Sequence, residues 1–194
     1  MDVEIIEEPI TSLADYASVP IAFEVLSVLD VAVADDDPRA LVLTERALDA
    51  PYVNDLDSIE GEGPKQWSRA FDLLNWGLIT ARSNGRRVGG AVIAFKTESV
   101  DMLEGRDDLA VLWDIRVAPE ARGKGAGSAL FRAVETWAIA RGCRQLKIET
   151  QNVNVQACRF YQRQGCVLRD VRRDAYPNRP DEIQLLWYKE LNPA

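Results

Sequence analysis

The glycine-rich stretch Arg122–Gly127, which reads Arg-Gly-Lys-Gly-Ala-Gly, has the residue types and the position of a phosphate-binding turn. It lies between a predicted buried strand over Val111–Val117 and a predicted amphipathic helix over Ala126–Arg141. At a helix N-terminus several backbone N–H groups have no intrahelical partner, and glycines let anionic oxygens approach them closely. The stretch therefore predicts a site for a nucleotide-like ligand that carries phosphate groups.

Three other interpretations of this stretch can be compared with its spacing. A P-loop requires Ser or Thr after the lysine, but Lys124 is followed by Gly125, so that interpretation fails. A dinucleotide-binding fingerprint is a closer rival, because Glu149 on the next predicted strand is placed to bind a ribose. Against it, the glycines lack the G-x-x-G step, and residues 118–121 separate them from the strand. A tight turn without a ligand also stays open, since glycines commonly precede helices.

A second group of residues follows the predicted helix and completes a family pattern. The turn supplies the R/Q-x-x-G-x-G/A residues Arg122, Gly125 and Gly127. The second group contains Asn154, Ala157, Phe160-Tyr161 and Gly165. With both groups present in this order, the chain resembles the GNAT superfamily of acetyl-CoA-dependent N-acetyltransferases. Within it, the run Glu149–Tyr161 and the segment Glu182–Tyr188 resemble streptothricin acetyltransferases and their uncharacterised relatives. The resemblance extends over about Leu109–Leu191.

The resemblance implies acetyl-CoA as the acetyl donor and assigns residues to it. The strand before the turn would pair its backbone with pantetheine, the turn would hold the pyrophosphate beside Arg122 and Lys124, and Asn154 would bond the pantetheine arm. The implied cofactor-binding residues are Ile115, Arg116, Val117, Arg122, Gly123, Lys124, Gly125, Ala126, Gly127, Ser128, Asn154, Ala157 and Tyr161. No metal is expected.

Amine acetylation needs a proton acceptor for the amine, a hydrogen-bond donor for the oxyanion and an acid for the leaving thiolate. By the resemblance, Asp114 on the strand before the turn is the first candidate for the base, acting directly or through water. Glu149 is the competing carboxylate. Tyr161 matches the family tyrosine that protonates the thiolate. Each of these side chains also has a purely structural interpretation, as an ion-paired or core-packed residue.

The elements that must position these residues follow from periodicity and turn signals. Strands are predicted at Val3–Ile6, Phe23–Val33, Trp76–Arg82, Arg87–Lys96, Leu109–Val117, Gln145–Thr150, Val167–Arg173 and Ile183–Tyr188, and helices at Trp67–Leu74, Ala126–Arg141 and from Asn152 or Asn154 to Gln164. Residues 83–86 predict a hairpin turn, and residues 35–38 end the second strand. No element is assigned with strength between Ala40 and Glu62.

These elements predict one α+β domain over residues 1–194, with an acceptor-side part at 1–75 and a cofactor core at 76–191. In the GNAT resemblance, this is a central mixed, mostly antiparallel sheet that is splayed at the cofactor strand and flanked by helices. The resemblance also leaves a homodimer open.

Composition narrows the chemistry further. The chain has no histidine, which excludes a histidine base, a histidine triad and most zinc sites. The three cysteines, Cys143, Cys158 and Cys166, have no metal-ligand spacing and are expected in the core. No run is long enough to span a membrane and no positive n-region is present, so we expect a cytoplasmic protein without a membrane partner.

The net charge of −8 is concentrated near the N-terminus, where residues 1–60 hold fifteen Asp or Glu against two Arg. This disfavours nucleic acid as a partner and favours a cationic acceptor, although an acidic face that only aids solubility fits equally. The first hypothesis is therefore an N-acetyltransferase that acts on a primary amine of a small cationic molecule, such as a streptothricin-like amine. The alternatives are acetylation of protein N-termini or lysines, and a non-catalytic sensor that binds acetyl-CoA. For a protein acceptor, the aromatic residues that could line a peptide groove, or equally pack the core, are Trp67, Trp76, Tyr176 and Trp187.

Overall fold

The structure is a computed structural model and describes residues 2–34, 41–59 and 63–191. The chain divides into two compact units. The first contains Met1–Ala22, Asp55–Lys147 and Glu190–Ala194, and the second contains Phe23–Asn54 and Ile148–Lys189. The organisation as one domain over residues 1–194 stays a prediction.

The described part of the chain contains both strands and helices, which confirms the predicted mixed α and β class. In chain order the elements are β1 (Glu4–Glu8), α1 (Leu13–Tyr16), β2 (Phe23–Val33), β3 (Leu41–Asn54), α2 (Pro64–Ala70), β4 (Gly77–Ser83), β5 (Arg86–Ala94), β6 (Leu109–Val117), α3 (Ala126–Ala140), β7 (Gln145–Gln151), α4 (Val155–Arg163), β8 (Val167–Arg172) and β9 (Gln184–Glu190). None of the described helices is both long enough and apolar enough to cross a membrane.

In the first unit, four strands pair antiparallel in the order β1-β4-β5-β6. The turn between β4 and β5 has positive φ at Asn84 (50°) and Gly85 (74°), the backbone that a tight two-residue hairpin requires. Helix α3 packs on these strands. Leu130, Val134 and Trp137 lie on its buried face, as the three- and four-residue spacing predicts. This packing fixes the direction in which the N-terminus of α3 leaves β6.

An aromatic cluster fills the core of the first unit on the side of α1 and α2. It combines the buried Tyr16, Trp67 and Trp76 with the partly buried Phe71 and Trp113. Ring centroids in the cluster lie 5.1–6.5 Å apart, the range in which aromatic pairs attract. Trp67 and Trp76 therefore belong to the core, which removes them from a peptide-binding groove.

In the second unit, β2 and β3 form an antiparallel two-stranded sheet, and the other strands follow the order β7-β9-β8. β8 and β9 pair antiparallel. Helix α4 packs against β2. Val25 and Val28 of β2 form a small core with Val153, the residue two positions before α4. This core attaches the hairpin to the start of α4.

Most predicted elements are confirmed, including the bounds of β2 and β6 and the order strand–helix–strand–helix–strand–strand from β6 onward. The missed elements are the four-residue helix α1 and the strand β3, whose side chains are mostly exposed. An exposed strand has no apolar alternation to detect, and Pro51 argues against a strand. The predicted helix Trp67–Leu74 was misplaced, because Pro64 opens α2 and Phe71 is already extended. The predicted strand end at residues 35–38 lies outside the described residues, and the predicted splay of the sheet stays a prediction.

The buried face of α3 predicts that substitutions at Leu130 and Arg132, two residues apart, differ in their effect on the free energy of unfolding. Leu130→Ala should lower the free energy of unfolding by about 2–5 kcal/mol, because the Leu130 side chain is fully buried and its loss leaves a cavity. Arg132→Ala, at an exposed position of the same helix, is the matched control and should change it little. Urea unfolding measures both, and equal effects would contradict the assigned face.

Candidate functional site

The glycine turn connects the end of β6 to the start of α3 in the first unit. After Ala118 the chain makes a short 3₁₀ turn over Pro119–Ala121. Gly123 and Gly125 then adopt left-handed backbone conformations, with φ of 71° and 92°. Gly125 is the N-cap of α3, and its carbonyl accepts the first helical bond from the N–H of Ala129 at 3.0 Å. The glycines are needed because L side chains rarely adopt this backbone.

The surface above this turn is open. A Cβ atom built on Gly123 or Gly125 would meet no heavy atom of the described residues within 4 Å. The first turn of α3, Ala126–Ala129, has only small side chains and no carboxylate. The N–H groups of Ala126 and Gly127 precede the first helical hydrogen bond and have no carbonyl one turn earlier within the helix, and the helix dipole adds positive potential there. These residues fit an anionic group such as a diphosphate.

Arg122 attaches the turn to its surroundings through backbone carbonyls. Its Nε donates to the carbonyl of Val117 at 2.9 Å, and its Nη2 donates to the carbonyl of Ala22 at 3.0 Å. Lys124 is exposed at the tip of the turn. Arg122 therefore has a structural role in this conformation, and the predicted role of both cations beside phosphates stays a prediction.

The residues of β6 predicted to bind pantetheine pair on one side with β5. Val117, Arg116 and Ile115 lie opposite Gly89, Gly90 and Ala91. The register shifts just before them, because Asp114 lies opposite Val92 while Leu112 lies opposite Ile93. Trp113 is therefore the extra residue of a β-bulge, an irregularity that commonly redirects side chains next to functional sites. The pairing of this segment with pantetheine stays a prediction.

Asp114 belongs to a buried ion-pair network centred on Arg116, whose exposure is only 3%. The Arg116 guanidinium donates to both carboxylate oxygens of Asp114. It also donates to both oxygens of Asp57, at 2.7 and 3.1 Å, and to the carbonyl of Val19 at 3.1 Å. Its charged group lies 4.9 Å from the centre of the Tyr16 ring. Sequence analysis missed this network, and its only local signal was the Asp-x-Arg spacing, which places both side chains on one strand face.

The network sets the charge states of its members. Burial raises the pKa of Asp114, and the nearby Arg116 opposes that rise without cancelling it. Burial by itself would lower the pKa of Arg116, but the charge of Asp114 holds it above its ordinary value. Arg116 therefore stays charged at neutral pH and is the cation against which the Asp114 carboxyl group lies. Because Arg116 bonds both oxygens of Asp114, this carboxylate is poorly placed to take a proton from another molecule.

In the second unit, Asn154 is the N-cap of α4. Its Oδ1 accepts the N–H of Ala157 at 3.1 Å. Asn152, the other predicted cap, instead donates to the carbonyl of Leu29 at 3.1 Å and accepts the N–H of Ile183 at 2.8 Å. The cap prediction is thus confirmed for Asn154. Its predicted bond to pantetheine stays a prediction, and the capping bond leaves the side-chain NH₂ as the better donor for it.

Tyr161 lies on α4 and is buried, with 5% exposure. Its ring meets the ring of Phe160 edge-on, with centroids 5.3 Å apart. Glu149 lies near the end of β7 and is half-buried. Its Oε1 accepts the hydroxyl of Tyr176 at 2.6 Å. The catalytic roles of Tyr161 and Glu149 stay predictions, and sequence analysis missed the Tyr176 contact because 27 positions separate the partners.

The cysteines behave as the sequence predicts. Cys143, Cys158 and Cys166 are buried and form no disulfide with one another. Burial raises the pKa of Cys143 and of Cys158 to about 11, so these thiols remain protonated and unreactive at neutral pH. Within residues 2–34, 41–59 and 63–191, no group of three or more His, Cys, Asp or Glu side chains could hold a metal ion.

Comparisons with known proteins agree with the motifs. A model of the acetyltransferase (GNAT) family matches residues 44–166. Streptothricin acetyltransferase A of Bacillus subtilis (strain 168) is 37% identical over 81 residues, which cover 41% of this chain and 47% of that protein. Streptothricin acetyltransferase of Escherichia coli is 34% identical over 85 residues, which cover 42% of this chain and 49% of that protein. The chain thus spans about half the length of these curated relatives.

A solved structure extends the similarity to nearly the whole chain. The crystal structure of a protein from Bacillus anthracis str. Ames, in complex with acetyl coenzyme A, superposes with a TM-score of 0.77 at 20% identity. The superposition covers 97% of this chain and 99% of that chain. At this identity the similarity shows that the two chains share a fold. Together the comparisons confirm the resemblance that the two motifs predict.

The ion-pair network predicts a large stability effect at Arg116. Arg116→Ala should lower the free energy of unfolding by about 3–5 kcal/mol, because it leaves the buried carboxylate of Asp114 without its cation. Arg46→Ala removes an arginine whose pair with Asp30 is exposed on both sides, and should change stability little. Chemical denaturation of the two variants compares them, and a small loss at Arg116 would contradict the network.

Proposed function

Because the chain belongs to the GNAT acetyltransferase family, we propose that it transfers an acetyl group from acetyl-CoA to a primary amine of a small cationic substrate. The observation that carries the proposal is the open glycine turn at the N-terminus of α3, where a diphosphate would accept hydrogen bonds from backbone N–H groups. Two streptothricin acetyltransferases among the relatives support a small-molecule acceptor.

The residues proposed to hold the cofactor are mainly backbone groups. The N–H groups over Gly123–Ser128 would bond the diphosphate, and Lys124 would add charge beside it. The backbone of Ile115–Val117 would pair with pantetheine, and Asn154 would bond that arm as well. When bound, acetyl-CoA supplies the acetyl group as a thioester that a neutral amine can attack.

The acceptor must lose a proton before it attacks. An alkyl ammonium has a pKa of about 10.4, so neutralising it at pH 7 costs about 4–5 kcal/mol. We propose Glu149 as the proton acceptor, because it is half-buried and its Oε1 accepts the hydroxyl of a neutral tyrosine instead of a hydrogen bond from a cation. Asp114 was the first candidate by the resemblance, and the ion pair with Arg116 weighs against it. Direct proton transfer to Asp114 is therefore less well supported by the contacts than proton transfer to Glu149.

Tyr161 is the proposed donor of the proton that the leaving thiolate takes up. A tyrosine hydroxyl is a suitable acid for this step, since its ordinary pKa of about 10 lies close to that of a thiol.

The surplus of acidic residues before position 60 supports a cationic acceptor over an anionic one. Trp67 and Trp76 are buried, which argues against a peptide-binding groove lined by these two side chains. A cytoplasmic location and a homodimer stay predictions.

An amine panel tests the proposed activity. Thiol release from acetyl-CoA should depend on an added amine, with streptothricin, polyamines, aminoglycosides and short peptides as candidates.

Gly125→Glu should abolish acetyl-CoA binding in calorimetry, because it places a negative side chain over the turn. Gly142→Glu is the matched control, since Gly142 has a similar left-handed backbone at the other end of α3. Binding without release on any amine would favour a sensor, and tight binding to Gly125→Glu would place the cofactor elsewhere.

The proposed acid has a separate test. Tyr161→Phe should lower kcat about tenfold or more, because the thiolate would then leave without a proton donor. The dissociation constant of acetyl-CoA should stay within a few fold, as the ring remains in place. Steady-state kinetics with calorimetry distinguishes the two effects, and an unchanged kcat would remove Tyr161 from the mechanism.

A further inference from the structure

The hydroxyl of Tyr176 lies between two polar side chains of β7 in the second unit. It donates to Oε1 of Glu149 at 2.6 Å and accepts the side-chain N–H of Gln151 at 3.3 Å. Glu149 and Gln151 are two residues apart and therefore point to the same face of the strand. The N–H of Gln151 occupies the acceptor side of the hydroxyl, so the phenolic proton is directed to Glu149.

The ring of Tyr176 is itself held in place. The guanidinium of Arg179 lies 4.5 Å from the ring centre, within the range of a cation–π contact. Arg179 also donates to Oε2 of Glu182 at 2.8 Å, and Glu182 is 7% exposed. Asn54 of β3 approaches the other oxygen of Glu182 at 3.4 Å. The hydroxyl that contacts Glu149 is thus the end of a connected set of side chains.

The charge state of Tyr176 supports its role as a donor. Burial, followed by the charge of Glu149, raises the pKa of Tyr176 well above the ordinary tyrosine value. The phenol therefore stays protonated at neutral pH and keeps donating to the carboxylate. Among the described residues, Oε1 of Glu149 carries this hydrogen bond and Oε2 accepts none. One oxygen is thus fixed while the other remains available to a substrate.

We propose that Tyr176 is a positioning residue for acetyl transfer, holding Glu149 through Oε1 so that Oε2 takes the proton of the acceptor ammonium. The inference rests on the proposed function. In this step one N–H bond of the ammonium breaks and an O–H bond forms on Oε2. The ammonium becomes a neutral amine with a lone pair, and the carboxylate becomes a neutral carboxylic acid.

The hydrogen bond matters because a base must be held in the right orientation. A glutamate has several rotatable bonds, and a carboxylate without a fixed partner samples orientations in which neither oxygen faces the amine. A single hydrogen bond to a charged group is strong enough to select one of them. Removing the hydroxyl should therefore reduce the fraction of productive complexes without displacing the cofactor.

A double-mutant cycle between the two residues tests the proposal. Tyr176→Phe keeps the ring and its contact with Arg179 but removes the hydroxyl, and should lower kcat with the best amine about tenfold. Glu149→Gln should lower kcat further, because an amide cannot accept the proton at neutral pH. Tyr176→Phe should then have no added effect in the Glu149→Gln background, since it acts only through the carboxylate. The dissociation constant of acetyl-CoA should stay within a few fold in all three variants.

Tyr52→Phe is the matched control, because it removes another hydroxyl of the second unit that makes no hydrogen bond within the described residues. It should leave kcat unchanged. If Tyr176→Phe keeps the wild-type kcat, or lowers it equally with and without Glu149, the positioning role is overturned while the proposed function stands. If the unaltered protein releases no thiol with any amine, the proposed function fails and this role fails with it.

Discussion

The N–H groups in the first turn of α3 impose the constraint on which the rest of the account depends. A helix cannot satisfy them internally, and the left-handed Gly123 and Gly125 leave the space above them open. The packing of α3 on β4, β5 and β6 fixes the direction of these groups relative to β6. The ligand that best completes them is an anion, which is why we propose that the diphosphate of acetyl-CoA binds at this end of the helix.

Two carboxylates of similar intrinsic acidity have different environments in this chain. Asp114 is buried and Arg116 bonds both of its oxygens, so its charge stabilises the first unit by pairing with that cation. Glu149 is half-buried and receives one neutral hydroxyl, so its charge is less compensated. An uncompensated carboxylate attracts an ammonium and can accept its proton. The environment of each side chain, and not its residue type, therefore favours a structural role for Asp114 and is the basis of the catalytic role proposed for Glu149.

Sequence reasoning succeeded where the signal is local. β6 and α3 carry apolar patterns with periods of two and 3.6, and the glycines mark the turn between them. Such reasoning failed at β3, whose exposed side chains give no pattern. It also missed the contacts of Arg116 with Asp57, 59 positions away, and of Tyr176 with Glu149, 27 positions away. Those contacts depend on how strands and loops pack, which short motifs do not encode. Fold class and the turn were therefore predictable, whereas the neighbours that decide the role of each carboxylate were not.

The most direct test of the account is a titration of the ¹⁵N-labelled protein with coenzyme A, followed by the backbone amide resonances of the turn. The account predicts that the largest shifts occur at Gly125, Ala126 and Gly127, because their N–H groups acquire phosphate oxygens as hydrogen-bond acceptors. Saturable shifts that leave these three amides unchanged, or no shifts at millimolar coenzyme A, would contradict the central claim.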